Sequence, residues 1–503
     1  MRHPPTILKS LGRVALLVAL GSTASDAQHA SRTPSSADNI DARIRRIERG
    51  LLPAAIIRGQ SLPTMTLTER MQYYHVPEVS IALFEHGQVA WARGYGLADM
   101  AANKPVTPET LFQAASVSKS VTALAALRLV QQGKLDLDED VNRKLASWKV
   151  PDNEFIKNEK VTLRRLLSHT AGFNVPSVGG YVAGEPLPTT VQILNGQKPA
   201  NNEAVRVERP PGKEFRYSGG GYVVVQLLLM DVTGKPFPAV IRDLVFEPLG
   251  MIHSTFEEPL PRSLWPNAAK PYDGKPVQGG WFIYPAMAPA GLWTTPSDLS
   301  RFAIEIEKAY AGQSKLISSA LAHEMLAYQS EEIYGLGVAL GQRGHAVRFW
   351  HSGANGGYQC VFEGYPEIGE GLAIMTDGER GLGLIGEIQR AIAQEYGWAD
   401  GRVEEHTLAK IAPADLRAYT GVFLFGGLFK FVITQDHGKL YVQYPAFGDK
   451  PNQLFAESDT RFFMTSAPVV IDVQKEADAS IKKAKIRNGP EQLDGERIAE
   501  ASQ

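Results

Sequence analysis

Several hydroxyl groups and one amine are concentrated in the stretch AASVSKSVT, residues 114–122. A serine hydroxyl is a weak nucleophile at neutral pH and needs a neighbouring base to accept its proton. Ser116 and Lys119 are three residues apart, so on a helix their side chains lie on one face within hydrogen-bonding reach. The amine accepts a proton only when it is neutral, and a partly buried site favours that form. The pair therefore predicts a nucleophile, Ser116, with Lys119 as its base.

The chain must place this pair on a helix for the chemistry to work. From Ser116 onward, SVSKSVTALAALRLVQQG has apolar side chains at helical spacing and ends at Gly133, a typical C-cap residue. The first turn of such a helix also presents backbone N–H groups to an oxyanion. The same spacing recurs at Ser480 and Lys483, but in a charged tail without an apolar helix, and we interpret that copy as coincidence.

Two further stretches carry groups that could act with the pair. FRYSGGGY contains Tyr217, and RFWHSGANGGY contains His351 in a strand-like segment followed by glycines that permit close backbone approach. Taken alone, Tyr217 is compatible with an ordinary core aromatic, and His351 with a strand histidine bonded to backbone. His169, in LLSHTAG, is interpreted as a structural turn residue rather than a catalyst.

Together with LLSHTAG, EPLGM and AGLWTTPSDLSRF, these motifs in this order resemble the β-lactamase and penicillin-binding serine hydrolase family. The resemblance is to its class C, DD-peptidase and related esterase branch, and it covers about residues 40–395. It implies an α+β fold of the β-lactamase/DD-peptidase type, with an antiparallel sheet flanked by helices plus a helical subdomain. The tail from about residue 413 resembles the small β modules appended to many such proteins, and alternation around Asp436-His437-Gly438 independently predicts strands there.

The resemblance also implies roles for individual residues. Ser116 would be the acylated nucleophile, Lys119 its base or proton relay, and Tyr217 a second acid/base. His351 would orient Tyr217 or meet a substrate carboxylate. The backbone N–H groups of Ser116 and Ala354 would form the oxyanion hole. The resemblance further implies substrate-binding positions at Gly219, Ser352, Gly353 and Ala354.

One motif departs from the family pattern. The family usually has Tyr, any residue, Asn, whereas this chain has Tyr217-Ser218-Gly219. The missing amide normally holds the acyl side of a peptide or a β-lactam, so its loss argues against those particular substrates. His351 stands where the family has Lys or His, and a neutral histidine carries no charge for recognising a carboxylate at alkaline pH.

The ends of the chain predict export and a second domain. Residues 1–27 combine basic residues, a short apolar run and small residues, which is typical of a secretory signal peptide. The apolar run is shorter than the ~20 residues that a membrane anchor needs, and we expect no membrane span after cleavage. A β-lactamase-like hydrolase domain is predicted over 28–400 and a β-rich module over 413–503, in a periplasmic or secreted protein.

Composition excludes several other classes of function. The net charge is -2 and basic residues are scattered, so neither nucleic acid nor an anionic membrane surface is an expected partner. The histidines show no metal-ligand spacing and the single cysteine, Cys360, is interpreted as a core residue, so no metal or cofactor is expected. No Gly-x-Ser-x-Gly motif occurs, which argues against an α/β-hydrolase.

The sequence therefore predicts an exported serine hydrolase that forms an acyl-enzyme on Ser116. Its substrate would be a small ester or amide, for example a D-amino-acid peptide. The alternative is a non-hydrolysing penicillin-binding or sensor-type protein that keeps the pocket without turnover.

Overall fold

The computed structural model describes residues 40–271, 277–330, 334–343, 346–378, 380–398, 403–425, 429–444, 451–478, 480–488 and 491–498. The predicted signal peptide, residues 1–27, lies outside these ranges. The first described elements are α1 (Ile40–Arg49), β1 (Ala55–Ile57), α2 (Leu67–Tyr74), β2 (Glu78–Glu85), β3 (Gln88–Asp99), β4 (Lys104–Pro105) and β5 (Phe112–Gln113). The hairpin predicted between β2 and β3 turns at His86 and Gly87, whose positive φ angles of 52° and 73° suit a two-residue turn.

The middle of the chain is mostly helical. Its elements are α3 (Ser118–Gln131), α4 (Leu163–Leu167), α5 (Thr190–Asn195), α6 (Gly219–Thr233), α7 (Phe237–Ile241), a π-helical turn (Arg242–Phe246), α8 (Glu247–Leu249), α9 (Met287–Ala290), β6 (Trp293–Thr294), α10 (Pro296–Tyr310) and α11 (Ser319–Met325). Helices α3 and α6 are buried on nearly all sides, since they carry few charged side chains. The α-helix predicted from Ser116 starts at Ser118, because a 3-10 turn, Ala115–Val117, precedes it.

A seven-stranded antiparallel sheet joins distant parts of the chain, in the order β4-β3-β2-β10-β9-β8-β7. The later strands are β7 (Ala339–Arg343), β8 (Ala346–Asn355), β9 (Tyr358–Tyr365) and β10 (Glu370–Asp377), and α12 (Gly381–Tyr396) follows them. Strand β2 pairs directly with β10, so the first and last strands of this sheet in chain order meet at its centre. The α+β fold predicted from the sequence is confirmed.

Helices cover both faces of this sheet. Alternate residues of a strand point to opposite faces, and in β10 Ile374 packs with Ile388 of α12 on one side. Its neighbour Met375 belongs to the other core, which contains Phe302 of α10 and the helical middle of the chain. The central strands are therefore buried on both faces, which explains their nearly continuous apolar sequences.

Among the described residues, no single helix is long and apolar enough to cross a membrane. Gly219–Thr233 and Phe237–Leu249, bent by 78°, meet the criteria of length and composition only as a pair.

The C-terminal region forms a closed eight-stranded barrel, which confirms the predicted all-β domain. A three-residue strand, β11 (Glu404–His406), leads to it. The barrel strands are β12 (Gly421–Phe425), β13 (Phe429–Asp436), β14 (Lys439–Gln443), β15 (Asn452–Ala456), β16 (Arg461–Phe463), β17 (Val469–Lys475), β18 (Ile481–Asn488) and β19 (Glu491–Ile498). Aromatic and branched side chains such as Phe423, Phe431 and Ile471 fill the interior. Ser480 precedes β18 and Lys483 lies on it, so the second Ser-x-x-Lys copy lacks the helical geometry.

The barrel packs against the first domain through a small two-stranded sheet. β1 pairs in parallel with β11, and Ala55 of β1 contacts Phe463 and Val470 of the barrel wall. The imidazole of His406 stacks on Phe463 with ring centroids 4.2 Å apart. These contacts hold the barrel beside the sheet domain.

Candidate active site

Ser116, in the 3-10 turn before α3, lies beside Lys119, in the first turn of α3. The Nζ atom of Lys119 is 3.0 Å from Ser116 Oγ and 2.9 Å from the carbonyl oxygen of Pro289. Lys119 is 2% exposed, and Ser116 is only half-buried. Because a carbonyl oxygen can only accept, one N–H of the amine is directed to Pro289. The buried amine thus stands beside a hydroxyl that substrate can reach.

The other hydroxyls of the cluster have structural partners. Ser118 Oγ accepts a hydrogen bond from the Leu292 N–H (3.0 Å), and Ser120 Oγ donates to the Gly337 carbonyl (2.6 Å). Thr122 donates to the Ala288 carbonyl at 3.3 Å. These bonds tie α3 to helix α9, to the residues just after α9 and to the loop before β7, which accounts for the density of hydroxyls in this stretch.

The backbone that precedes Ser116 is held tightly. Ala115, the residue before it, is buried with φ at +47°, a conformation that costs an alanine roughly 1–2 kcal/mol. Strand β8 passes directly behind it: a Cβ atom at Gly353 would lie 2.2 Å from the Ala114 carbonyl oxygen. The Cys360 thiol donates to the same oxygen (3.2 Å). Gly353 is therefore required for the close approach of the sheet to the Ser116 turn.

Tyr217 lies next to the pair, at the N-terminus of α6. Its ring centroid is 4.9 Å from Lys119 Nζ, within the range in which a cation and an aromatic face attract. The following residue, Ser218, caps the helix, since its Oγ accepts from the Gly221 N–H (3.0 Å) and donates to the Val175 carbonyl (2.8 Å). The fold thus brings Tyr217 to Ser116 across about 100 residues of sequence.

His351 lies one layer behind Tyr217, with ring centroids 6.4 Å apart. It is 5% exposed, and its Nε2 is 2.9 Å from the Tyr334 hydroxyl while its Nδ1 is 2.6 Å from the Ser352 carbonyl oxygen. Burial and the neighbouring charge of Lys119 lower the pKa of His351 to about 3, so the ring is neutral at physiological pH. Nδ1 then donates to the carbonyl and Nε2 accepts from Tyr334.

A cavity of about 770 Å³ opens in front of these groups. Ser116, Lys119 and Tyr217 line one side, together with two of the predicted substrate-binding residues, Gly219 and Ala354. The other two lie in the sheet behind: Ser352 pairs with Val361 and Gly353 with Cys360. The remaining lining residues are Pro176, Ser177, Val178, Gly179, Gly180, Tyr284, Pro289, Ala290, Asn355, Gly356, Gln359, Arg380 and Gln443.

Several residues of the site lie outside the positions predicted from the sequence. Asn355 donates to Gln113 Oε1 (2.9 Å) and to the Ala290 carbonyl (3.1 Å), which joins strand β8 to the cavity floor. Gln443 belongs to β14 of the barrel, so the C-terminal domain also contributes to the wall. Tyr334 and Gln443 stand in no motif, and the sequence carries no signal for either.

The space beside Gly219 is limited by the segment opposite. The Gly219 N–H donates to the Pro176 carbonyl (2.9 Å), and a Cβ atom on Gly219 would lie 3.1 Å from that oxygen and 3.3 Å from Ser177 Cα. Any side chain at this position would press on the 176–177 backbone. The departure from the Tyr-x-Asn pattern is therefore accompanied by a local backbone that suits glycine.

Comparisons with known proteins agree with this architecture. Residues 65–395 match the family model described as Beta-lactamase, and the chain belongs to that family. Protein flp of Staphylococcus aureus (strain N315) is 28% identical over 235 residues, which are 45% of this chain and 43% of flp. The matched region thus spans less than half the length of that relative.

Two solved structures share the fold. The octameric penicillin-binding protein homologue from Pyrococcus abyssi superposes with a TM-score of 0.58 at 23% identity, over 85% of this chain and 98% of that one. The D-amino acid amidase from Ochrobactrum anthropi SV3 superposes with a TM-score of 0.52 at 25% identity, over 66% of this chain and 97% of that one. The predicted family resemblance is confirmed.

Proposed function

We propose that the protein is a serine hydrolase that forms an acyl-enzyme on Ser116 and cleaves a small ester or amide. The observation that carries the proposal is the 3.0 Å separation of Lys119 Nζ and Ser116 Oγ at the wall of an open cavity. Similarity to a D-amino acid amidase supports amides and peptides of D-amino acids as the substrate class.

Acylation begins when Ser116 Oγ attacks the substrate carbonyl carbon. A new C–O bond forms while the hydroxyl proton passes to Lys119 Nζ, and the carbonyl oxygen becomes an oxyanion. The backbone N–H groups of Ser116 and Ala354 are proposed to stabilise it, and each such donor contributes roughly 2.7–4 kcal/mol in comparable enzymes. The position of Ala354 in the cavity wall supports this assignment.

Breakdown of the tetrahedral intermediate needs a proton for the leaving group. Tyr217 is proposed to pass that proton to the leaving amine or alkoxide as its bond to the carbonyl carbon breaks, and Lys119 replaces the proton on the phenol. Water then attacks the acyl carbon, and Tyr217 accepts its proton while the phenol proton passes to Lys119. As the bond between Ser116 Oγ and the acyl carbon breaks, Lys119 returns that proton to Oγ, which releases the acid and restores Ser116. Lys119 Nζ lies 4.9 Å from the centre of the Tyr217 ring, and this proximity of the two side chains supports the relay.

The surroundings of His351 support a positioning role rather than recognition of a substrate carboxylate. It is neutral, buried and hydrogen-bonded to Tyr334.

We also propose that the protein is exported, with residues 1–27 as signal peptide, a hydrolase domain over 28–400 and a C-terminal module over 413–503. The basic and apolar pattern of the first residues supports export.

Intact-mass spectrometry of residues 28–503 tests the nucleophile. A fluorophosphonate is expected to add once to the wild type and to Ser177→Ala, a matched serine of the same cavity, but not to Ser116→Ala. Turnover of D-alanine amides and simple esters should be lost only in Ser116→Ala. A Ser116→Ala protein that still hydrolyses these substrates at the wild-type rate would overturn the proposal.

The same preparation distinguishes the alternative function. A penicillin adduct on Ser116 that persists for hours, with no ester or amide turned over, would indicate a non-hydrolysing penicillin-binding or sensor-type protein.

A further inference from the structure

His169 packs directly against Tyr217. Their ring centroids are 4.2 Å apart, with an angle of 36° between the planes, and His169 is 2% exposed. It follows α4 with φ at +59°, a left-handed conformation that few non-glycine residues adopt. This backbone conformation turns the chain at the position where the imidazole meets the phenol.

His169 accepts two hydrogen bonds, from the residues on either side of Tyr217 in the chain. The Arg216 N–H donates to the His169 carbonyl (2.7 Å), and the Ser218 N–H donates to His169 Nδ1 (3.0 Å). One residue therefore holds the backbone immediately before and immediately after Tyr217, while its ring supports the side chain between them. A residue that served only as a turn would need neither the ring nitrogen nor the stacking.

The ring must be neutral for the second bond to exist, because a protonated Nδ1 cannot accept. Burial, as the largest cause, and the charge of Lys119 hold the pKa of His169 well below its usual value. The remaining hydrogen is then on Nε2, which has no hydrogen-bond partner within the part of the chain that is described. The ring there faces an aromatic cluster that includes Tyr222 and Tyr334, at 5.2 and 4.9 Å between centroids.

We propose that His169 is a positioning residue that sets the place of Tyr217 relative to Lys119 and Ser116 during proton transfer. This inference rests on the function proposed above. Proton transfer requires the phenol within hydrogen-bonding distance of its partners, and a displacement of 1 Å can cost about 100-fold in rate. His169 acts through Tyr217, so its effect should appear in kcat rather than in KM.

Substitutions that separate the ring from its acceptor atom test the proposal. His169→Phe keeps an aromatic ring and removes Nδ1, and we expect kcat to fall about 100-fold with KM little changed. His169→Asn places an amide oxygen near the position of Nδ1 and tolerates the left-handed backbone, so it should recover most of this loss. His169→Gln, whose oxygen reaches toward the position of Nε2, should not.

A double-mutant cycle distinguishes positioning of Tyr217 from a purely structural role, because it measures the coupling of the two residues in kcat. If His169 acts through Tyr217, then His169→Phe should have almost no further effect on kcat in a Tyr217→Phe background. His323→Phe is the matched control, because His323 is an exposed histidine that also stacks on a tyrosine, Tyr310, at 4.0 Å. Stoichiometric fluorophosphonate labelling shows which variants are folded.

Three results would overturn the proposal: full activity of His169→Phe, equal activity of the Asn and Gln variants, or additive losses in the double mutant. If His169→Phe does not fold, the comparison of Asn with Gln still decides the question. Failure of the proposed function is recognised separately, since the wild type would then show no turnover or Ser116→Ala would keep its activity, whatever the His169 variants do.

Discussion

Acidification is expected to destabilise the hydrolase domain through His351. In the folded protein burial and Lys119 lower the pKa of this ring to about 3, from an ordinary value of 6.5. Between these values the unfolded chain binds a proton that the folded protein excludes, so stability rises with pH. The contribution is fully present above pH 6.5 and is lost as the pH falls toward 3.

The size of the effect follows from the two pKa values. On going from about pH 7.5 to about pH 5, a single histidine of this kind removes about 2 kcal/mol from the free energy of unfolding. Replacing His351 by glutamine, which does not titrate, should reduce the acid-induced loss by that amount. Buried His169 contributes in the same direction, but it is present in both proteins and cancels from the difference.

Urea unfolding followed by tryptophan fluorescence measures the free energy of unfolding of the hydrolase domain. All 7 tryptophans lie at or before Trp398, so the signal reports on the hydrolase domain and not on the barrel. The comparison uses wild type, His351→Gln and the exposed control His323→Gln at each pH. Equal pH dependence in wild type and His351→Gln would refute the reasoning, because a histidine exposed to water in the folded state would behave in that way.

Two other substitutions probe the cavity. Gly219→Asn, which restores the usual family motif, should slow acylation by both esters and penicillins, because its Cβ would lie 3.1 Å from the Pro176 oxygen. Faster formation of the penicillin adduct, measured by intact mass, would contradict this expectation. Gln443→Ala should raise KM for extended peptide substrates and leave small esters unaffected, because only extended substrates would reach the barrel side of the cavity. Gln474→Ala, an exposed barrel glutamine on β17, is the control, and equal effects of the two variants in steady-state assays would argue against a substrate contact by Gln443.

The local features were predictable because neighbouring residues decide them. The hairpin at His86–Gly87 and the barrel turn at His437–Gly438 were found from turn residues between alternating patterns, and both have positive φ angles. The start of α3 was misplaced by two residues, since the 3-10 turn at Ala115–Val117 depends on packing against strand β8. No local sequence rule reports such a contact.

The same distinction applies to the candidate site. The proximity of Ser116 and Lys119 is a property of their spacing on one helical segment, so the sequence by itself determined it. The placement of Tyr217 against His169, of His351 against Tyr334, and of Gln443 at the cavity wall joins segments far apart in the chain. Those contacts depend on how the sheet, the helical subdomain and the barrel pack, and only the tertiary structure decided them. The tertiary structure also decides that His351 is neutral, because burial lowers the pKa of the ring and burial cannot be seen from the residue type alone.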